Sequence, residues 1–340
     1  MTILGIETSC DDTAAAVYDT DSGLLSQLVS SQTEHTAFGG VVPELASRAH
    51  TELILPIIRQ TLHKAHVTLN DVDAVAVTRG PGLIGSLLVG TSVAQALAAA
   101  RGLPMVGVHH IEGHIFANRL ENPELEPPFL ALVISGGHTQ LVDVADWGCY
   151  RLLGNTRDDA AGEAFDKVGK MLGLGYPGGP AIERSAAQGD SGFIDFPVAR
   201  VKGDPLAFSF SGLKTAVRVV VEKMGASEVA EHLEDLSASF QYALIKALVG
   251  TTMKAVESIG AQQIVLAGGV AANTALVRAF KERAHRSALT IYNPSVKFCT
   301  DNAAMIARAG SFHLTAGRTS ESIHPVARLP LPASSKLDDA

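Results

Sequence analysis

The sequence predicts an α/β protein of two lobes that share one internally duplicated plan, with helices packed on mixed sheets. Two segments, ILGIETSCDDTAAAVYD from Ile3 and FLALVISGGHTQLVDV from Phe129, each show a strand, a short loop of small and polar residues, and a second strand. Elsewhere apolar strands alternate with helical patterns, which is typical of α/β proteins. A chain of 340 residues that is 46% hydrophobic can bury cores for two lobes.

The remaining elements follow from apolar spacing in chain order. Between the two hairpins, the spacing predicts a helix over residues 41–65, a strand at AVAVT, and a helix over residues 83–100. After the second hairpin it predicts a helix over residues 158–174 and the strand QIVLAG. A helix over residues 274–285, the strand LTIYN and a helix over residues 302–314 complete the pattern.

Composition indicates a soluble cytoplasmic protein with no membrane segment. The chain has no run of about 18 uncharged apolar residues, and its first residues lead directly into the strand ILGIE. Its three cysteines, Cys10, Cys149 and Cys299, are widely spaced, which favours reduced thiols over a disulfide framework.

The formal net charge of −8 excludes a nucleic-acid polycation, so any RNA contact must be local or shared with a partner. Two basic clusters could make such an RNA contact, although the simpler interpretation of each is the solvent-exposed face of a helix. The first contains Lys214, Arg218 and Lys223; the second contains Lys281, Arg283 and Arg286.

The segment VHHIEGHIFA predicts a metal site. His110 and His114 are four residues apart, and in a helix this spacing stacks two imidazoles on one face. Zinc metalloproteases carry the same separation, but their glutamate directly follows the first histidine. Glu112 comes two residues after His110, about 200° around a helix, and should point away from the metal. The alternative is two ordinary histidines, one a helix cap and one exposed.

Asp301 could complete this site as a third ligand, or serve only as an N-cap or first-turn acid of the helix that follows it. Two imidazoles and one carboxylate with open positions fit Fe(II) or Zn(II), and the donor set does not choose between them.

The motif Gly80-Pro81-Gly82-Leu83-Ile84-Gly85 has the form of a dinucleotide fingerprint. Such a site also needs an acidic residue about 20 positions later, and residues 101–110 contain none. The motif therefore predicts a tight turn that lets a helix and a strand approach closely.

Glycine pairs predict a nucleotide site. Ser135-Gly136-Gly137 follows a buried strand, so its backbone N–H groups could close on an anion. Gly268-Gly269 follows another strand and leads through Asn273 into a helix N-terminus. A third pair, Gly178-Gly179, follows Pro177, and Asp166 could accept hydrogen bonds from a ribose if it lies near these loops. A single glycine pair is more often a plain turn, but three pairs favour a nucleotide.

The ordered motifs resemble those of one family, the tRNA threonylcarbamoyladenosine transferases (TsaD-like proteins). The resemblance runs from Ile3 to about Arg328 and is carried by GIETSCDDT, GGVVPELASRAH, GPGLIGSLLVG, HHIEGH, SGGHTQ, DDAAGEAFDK, YPGGP, FSFSGLKT, AGGVAAN and CTDNAAMIA. It implies the actin-like ATPase (sugar kinase/actin) superfold, in which both lobes are duplicated. We then expect an N-terminal lobe of residues 1–108, with a helix and strand at about 305–328 packing back on it. We also expect a C-terminal lobe of residues 109–304 that carries the nucleotide and metal site, and a tail of residues 329–340.

The resemblance implies transfer of a threonylcarbamoyl group from its adenylate to the exocyclic amine of the adenosine 3′ of the anticodon, in tRNAs reading codons that begin with A. It also implies one divalent metal ion, with Fe(II) favoured over Zn(II), held by His110, His114 and Asp301. The loop of Ser9, Cys10 and Asp12 would face the phosphate, with Asp11 as the candidate base. The residues implied to bind the adenylate are Val133, Ile134, Ser135, Gly136, Gly137, Asp166, Gly179, Glu183 and Asn273.

The partners that the resemblance implies are tRNA, the adenylate, a smaller paralogous subunit of the same fold and a P-loop ATPase. Two rival functions stay open on the sequence. One is a non-enzymatic scaffold gated by a nucleotide, and the other is the metalloprotease that the misplaced Glu112 argues against.

Overall fold

The computed structural model describes residues 1–198 and 201–331, which form two compact units. The first unit combines Met1–Leu125 with Thr300–Leu331, and the second contains Glu126–Cys299. From residue 332 onward, the predicted tail lies outside the described residues.

The strands in the described ranges are β1 (Thr2–Glu7), β2 (Asp12–Asp19), β3 (Gly23–Ser31), β4 (Ala74–Gly80), β5 (Met105–His109), β6 (Phe129–Ile134), β7 (Thr139–Asp146), β8 (Cys149–Asn155), β9 (Gln263–Ala267) and β10 (Thr290–Tyr292). The α-helices are α1 (Pro43–Lys64), α2 (Ile84–Arg101), α3 (His110–Ala117), α4 (Ala161–Met171), α5 (Gly178–Ala186), α6 (Ser211–Glu231), α7 (Leu233–Ile259), α8 (Thr274–Ser287), α9 (Val296–Cys299) and α10 (Ala303–Thr315). Short 3-10 helices cover Thr33–Phe38, Leu69–Asp71, Asn118–Leu120 and Gly269–Ala272.

Each unit is built on a five-stranded mixed sheet, and the two sheets have the same topology. In the first unit the order is β3-β2-β1-β4-β5, with β1, β2 and β3 antiparallel and β1, β4 and β5 parallel. In the second unit β8, β7, β6, β9 and β10 repeat that order and those directions. The predicted α/β class and internal duplication are therefore confirmed.

The central strands explain why the sequence shows unbroken apolar runs there. Every residue of β6 is buried, as are all residues of β1 after the first, because helices cover both faces of a sheet with parallel strands. The core of the first unit includes Ile54, Ile57 and Ile58 of α1, which recur at helical spacing.

Helix α2 carries no charged residue from Ile84 to Ala100. By length and composition alone it could cross a membrane, with a mean hydropathy of 1.2 and 33% of its residues buried. Within the first unit it packs on β4 and α1, and a Cβ at Gly90 would lie 2.3 Å from Thr8 Oγ1. Its inner face thus belongs to the core of this unit, whereas Ile84 and Leu88 on its outer face are each 54% exposed.

Several elements were not assigned from the sequence. The edge strands β3 and β8 are only partly buried and carry polar residues, so they lack the apolar run that identifies β1 and β6. Helices α5, α6 and α7 were also missed, and α6 is kinked at Gly225, whose φ is +76°. No strand follows α10 within the described residues up to Leu331. Instead, single backbone bonds such as Val326 N–H to Arg79 O (2.7 Å) attach that segment to β4.

The observed division of the chain differs from the predicted one. The first unit extends to Leu125 instead of residue 108, and it includes the returning segment from Thr300. Helix α3 packs on α10, where a Cβ at Gly113 would lie 2.8 Å from Ile306 Cδ1. His110, His114 and Asp301 therefore belong to the first unit, not to the C-terminal lobe in which we expected the metal site.

Candidate metal and nucleotide sites

Three side chains of the first unit form a cluster that could hold a metal ion: His110, His114 and Asp301. One ligand atom from each lies within 4.8 Å of the other two. Asp301 Oδ1 is 3.1 Å from His114 Nε2 and 3.5 Å from His110 Nε2. The two imidazoles are one helical turn apart on α3, with ring centroids 4.7 Å apart. The sequence-predicted triad is therefore assembled within one unit.

The surroundings of His114 fit a metal ligand. Its side chain is fully buried, and neither ring nitrogen makes a hydrogen bond, although Nε2 lies 3.1 Å from the Asp301 carboxylate. A buried polar atom without a partner costs free energy, and a cation would satisfy a nitrogen here without protein rearrangement. The alternative, in which one of these histidines and Asp301 serve as helix caps, also loses support, because other residues cap the two helices. His109 accepts from Ile111 N–H at the start of α3, and Asn302, not Asp301, caps α10.

Glu7 orients His110. It is the last residue of β1 and is fully buried; its Oε2 lies 3.1 Å from His110 Nδ1 and accepts from Thr78 Oγ1 at 2.6 Å. Ser9 N–H donates to its other oxygen. A metal ligand is a neutral imidazole, and in the tautomer whose Nδ1–H is directed at Glu7 the lone pair of Nε2 lies on the side of Asp301.

Two carboxylates raise the pKa of His110. Burial lowers the pKa of His110, but the negative charges of Asp301 and Glu7 outweigh burial and raise this pKa to about 9. A cation bound at the triad would compete with that proton, because a metal ligand must be deprotonated.

Glu112 does not take part in the triad. Its side chain is buried, and Oε2 lies 2.8 Å from His313 Nε2 on α10. This agrees with the helical geometry, which directs position 112 away from the side of α3 that carries His110 and His114. The general base of a metalloprotease is thus engaged elsewhere, as the order of residues predicted.

The predicted phosphate-facing loop, Ser9 to Asp12, joins β1 to β2 and is held from three sides. His50 Nε2 lies 2.9 Å from Cys10 O, Gln32 N–H donates to Asp11 O, and Leu83 N–H donates to Ser9 O. A Cβ at Gly82 would lie 2.6 Å from Ser9 O, which confirms that the glycine motif is a turn of close approach.

Burial and negative neighbours shift the ionisable groups of this loop. The pKa of Asp12 is raised to about 7 by burial first and then by Asp301, with smaller contributions from Asp11 and Glu7. The pKa of the Cys10 thiol is raised well above its ordinary value, mainly by burial, so Cys10 is not an activated nucleophile.

In the second unit, the loop Ser135–His138 connects β6 to β7. Ser135 N–H donates to His138 O at 2.8 Å, and the Ser135 hydroxyl accepts from His138 N–H at 3.1 Å. Ser135 O accepts from Gly162 N–H in the first turn of α4. The loop thus lies against the N-terminus of α4, whose dipole favours an anion, while the N–H groups of Ala161 and Gly162 are bonded to Thr139 Oγ1 and Ser135 O.

Glycines around this loop fall into two groups. A Cβ at Gly162 would lie 2.6 Å from Ser135 O, and one at Gly268, whose φ is +89°, would lie 2.4 Å from Ile134 O. Internal packing therefore explains why glycine occupies positions 162 and 268. A Cβ at Gly136 or Gly137 would meet no atom within 4 Å, and neither φ is in the left-handed region. The protein's own fold therefore does not require those glycines, whereas a ligand lying close to the backbone would.

Three of the other predicted adenylate residues, Asp166, Glu183 and Asn273, bond to helix N-termini of the same unit. Asp166 Oδ1 accepts from Gly178 N–H at 2.8 Å, which joins α4 to the start of α5 beside Gly179. Glu183 Oε1 accepts from the backbone and hydroxyl of Thr274 at 2.7 and 2.6 Å. Asn273 caps α8 through Leu276 N–H and donates to Gln241 Oε1. Each of these side chains thus has a structural hydrogen bond beside the role predicted for it.

The sequence pattern did not single out Glu7, His50 or Thr78. Glu7 had a signal, because it is the only charged residue in a strand that is otherwise apolar, and such a residue needs a buried partner. His50 lies among the apolar positions of α1 and had no comparable signal.

Comparison with known families decides the relationship. The family model described as "TsaD: tRNA N6-adenosine threonylcarbamoyltransferase" matches residues 23–308. The chain belongs to the TsaD family of tRNA N6-adenosine threonylcarbamoyltransferases. It is an enzyme of the transferase class.

Curated TsaD family members are similar over nearly the whole chain. The tRNA N6-adenosine threonylcarbamoyltransferase of Syntrophus aciditrophicus (strain SB) is 51% identical over 333 residues, covering 97% of this chain and 98% of that protein. The protein of the same name from Pelobacter propionicus is 52% identical over 322 residues, covering 94% of each chain.

Solved structures support the fold. Full-length HypF in its phosphate- and nucleotide-bound form aligns with a TM-score of 0.62 at 13% identity, over 94% of this chain and 56% of that chain. Component A of (R)-2-hydroxyglutaryl-CoA dehydratase from Acidaminococcus fermentans aligns with a TM-score of 0.55 at 13% identity, over 93% and 99% of the two chains. The actin-like ATPase fold expected for the TsaD family is thereby confirmed.

Proposed function

We propose that this chain transfers the threonylcarbamoyl group of threonylcarbamoyl-adenylate to the exocyclic amine of the adenosine 3′ of the anticodon, in tRNAs reading codons that begin with A. The proposal rests on the family assignment. Its main structural support is the pair of glycines, Gly136 and Gly137, which the fold does not need and a bound nucleotide would.

In the proposed reaction the adenosine N6 forms a bond to the carbamoyl carbon. The bond from that carbon to the phosphate oxygen breaks, AMP leaves, and N6 loses one proton. The adenylate is a mixed anhydride and is already activated, so no serine or cysteine nucleophile is required. This is consistent with the raised pKa of Cys10.

The residues proposed to bind the adenylate are those of the second unit. The backbone N–H groups of Gly136 and Gly137, together with the dipole of α4, would hold the phosphate. Asp166 and Gly179 would lie near the ribose, with Asn273 near the base. Glu183, which bonds Thr274, would hold the start of α8 in place.

His110, His114 and Asp301 fit one divalent cation, with Fe(II) favoured over Zn(II) by the family resemblance. When bound, such an ion supplies Lewis-acid stabilisation of negative charge. Glu7 would keep His110 in the tautomer whose Nε2 faces the other two ligands. Asp11 stays the proposed base, carried on a loop that His50 and Leu83 hold in place.

We further propose that the chain works in the cytoplasm with a smaller paralogous subunit and a P-loop ATPase. The uncharged outer face of α2, where Ile84 and Leu88 are exposed, is a surface that a protein partner could cover. The formal net charge of −8 also favours a shared tRNA-binding task.

The rival functions are less well supported. A non-enzymatic scaffold disagrees with membership in a transferase family. A metalloprotease would need Glu112 as a base beside the metal, but the Glu112 carboxylate lies on His313.

Nucleosides digested from total tRNA test the function directly. Depleting this protein from cells that still make the adenylate should abolish threonylcarbamoyladenosine, as measured by mass spectrometry. Re-expressing the wild-type chain should restore it, and this is the control for indirect effects of depletion. An unchanged level in depleted cells, with no second member of the family present, would contradict the proposal.

A substitution at Glu7 tests the proposed support of the metal ligand. Glu7→Gln keeps the size of the side chain but removes the negative charge that accepts from His110 Nδ1. Loss of such a partner typically weakens metal affinity by about 10- to 100-fold, and we expect this range for Zn(II) in a competition titration with a chelator.

Glu112→Gln is the matched control, because it makes the same change at another buried glutamate that contacts His313 instead of the triad. We expect its Zn(II) affinity to stay within about threefold of wild type. Equal affinities for wild type and Glu7→Gln would show that Glu7 does not orient the ligand.

A further inference from the structure

We propose that the exposed basic face of α8 binds the phosphate backbone of the tRNA substrate. This inference rests on the proposed function, which makes tRNA the acceptor. Four basic side chains of α8 are exposed, Arg278, Lys281, Arg283 and Arg286, and the basic face is defined by Arg278, Lys281 and Arg286, which lie within about 140° around the helix axis.

The charge of α8 opposes that of the whole chain. Its four arginine and lysine residues and one glutamate, Glu282, give four positive charges minus one negative charge, or +3, whereas the chain carries −8. A polyanion approaching an acidic protein needs such a local positive surface, because the rest of the molecule repels it.

The two basic clusters look alike in the sequence, but in the structure they differ in whether their side chains have acidic partners. On α6, the Lys214 ammonium is bound to Asp159, and Arg218 Nε lies 3.8 Å from Glu222 Oε1. Within the described residues, none of the four basic side chains of α8 has a carboxylate within 4.0 Å. Only the second cluster therefore keeps its full charge for an external anion.

The usual reason for basic residues at a helix end does not explain this face. Cations stabilise the last turn of a helix because they complement its dipole, and the effect falls off beyond that turn. Arg286 lies in the last turn of α8, but Arg278, Lys281 and Arg283 lie earlier. The helix dipole thus does not explain three of the four positive charges.

The face begins close to the proposed adenylate site. Asn273, the N-cap of α8, is one of the residues proposed to hold the adenylate. At a rise of about 1.5 Å per residue, Arg278 lies about 6 Å and Arg286 about 18 Å along the helix from Thr274. A tRNA that presents its anticodon loop to the adenylate would bring phosphates within this range, whereas an acidic protein would have no such reason to lie here.

The test compares two triple variants with the same change in charge. Arg278→Gln, Lys281→Gln and Arg286→Gln remove three charges from the basic face. The matched control, Arg218→Gln, Lys223→Gln and Lys254→Gln, removes three exposed charges from α6 and α7 of the same unit. Both are assayed as the full chain, assembled with its partner proteins, on an unmodified transcript of a tRNA that reads codons beginning with A.

We expect the α8 variant to raise the KM for tRNA by about 10- to 100-fold at 0.1 M salt, with kcat preserved. The slope of the logarithm of the tRNA binding constant against the logarithm of salt concentration should become smaller in magnitude by about 2 to 3. Each lost phosphate contact reduces the magnitude of this slope by about 0.7 to 0.9. The control should keep the wild-type slope and KM.

Three outcomes would overturn the proposal. Wild-type KM and salt slope in the α8 variant would show that this face does not contact tRNA, while the transferase function stands. Equal losses in both variants would show a general effect of net charge. Lost binding of a partner protein with an unchanged salt slope would make α8 a protein-docking face. If the wild-type assembly itself transfers nothing, the proposed function fails first.

Discussion

Replacing His114 by alanine is expected to remove the bound metal ion and to lower transfer activity by at least about a hundredfold. A hundredfold corresponds to about 2.7 kcal/mol of transition-state stabilisation, within the several kcal/mol that a Lewis acid supplies. The fold should survive, because neither ring nitrogen of His114 makes a hydrogen bond that the substitution would break. The buried cavity left behind should cost about 1–3 kcal/mol.

The stability of the two proteins under metal titration separates a lost ligand from a damaged fold. At a free metal concentration 100 times its dissociation constant, a bound ion should stabilise the wild-type chain by about 2.7 kcal/mol. His114→Ala should gain almost nothing under the same conditions. Metal content, the free energy of unfolding with and without metal, and transfer rates are measured on the same preparations.

His63→Ala is the control for metal bound by surface histidines, since His63 is exposed on α1. It should match wild type in metal content and activity. Full transfer activity in a folded, metal-free His114→Ala protein would contradict a metal-assisted reaction and leave the triad as a structural feature.

Replacing Gly137 by valine is expected to weaken binding of the adenylate by at least tenfold, or about 1.4 kcal/mol, while leaving stability unchanged or slightly higher. A Cβ at this position meets no protein atom within 4 Å, and its φ is outside the left-handed region. A substitution therefore costs the fold little, but it fills the space that a nucleotide lying on the loop would occupy. Binding of a non-hydrolysable adenylate analogue and thermal unfolding are the measurements.

Two further glycines provide contrasting controls. Gly250→Ala lies within α7, where a Cβ also meets nothing within 4 Å, so it should keep wild-type binding and gain up to about 1 kcal/mol of stability. Gly268→Ala should destabilise the second unit, because Gly268 has a φ of +89° and a Cβ would lie 2.4 Å from Ile134 O. Wild-type analogue affinity in a folded Gly137→Val protein would exclude the loop as the nucleotide site.

The sequence predicted much of the fold because the deciding signals are local. The two hairpins of the duplicated sheets follow from unbroken apolar runs ending in short polar loops, and the predicted helix over 274–285 corresponds to α8, Thr274–Ser287. The edge strand β3 lacks such a signal, because a strand with one partner is half exposed and tolerates polar residues. Helix α7 is buried over most of its surface, so its apolar residues do not follow a single helical stripe.

The boundary between the two units shows a different limit of prediction from local sequence patterns. The segment from Thr300 returns to the first unit, and α3 packs on α10, although about 190 residues separate them in the chain. Local patterns carry no information about such pairings. The three residues of the predicted metal triad are brought together by the structure, but in the first unit and not in the C-terminal lobe to which they were assigned.

The sequence by itself determined the residue types of the sites: two histidines one helical turn apart, a glycine pair after a buried strand, and a glutamate displaced from the protease position. The tertiary structure decided what those residues contact. It brings Asp301 to 3.1 Å from His114, turns Glu112 to His313, and pairs Glu7 with His110. It also pairs Lys214 and Arg218 of α6 with carboxylates and leaves the basic residues of α8 without an acidic partner among the described residues. The physical reason is that hydrogen bonding, charge pairing and burial depend on distances between residues remote in the chain, and only the folded structure sets those distances.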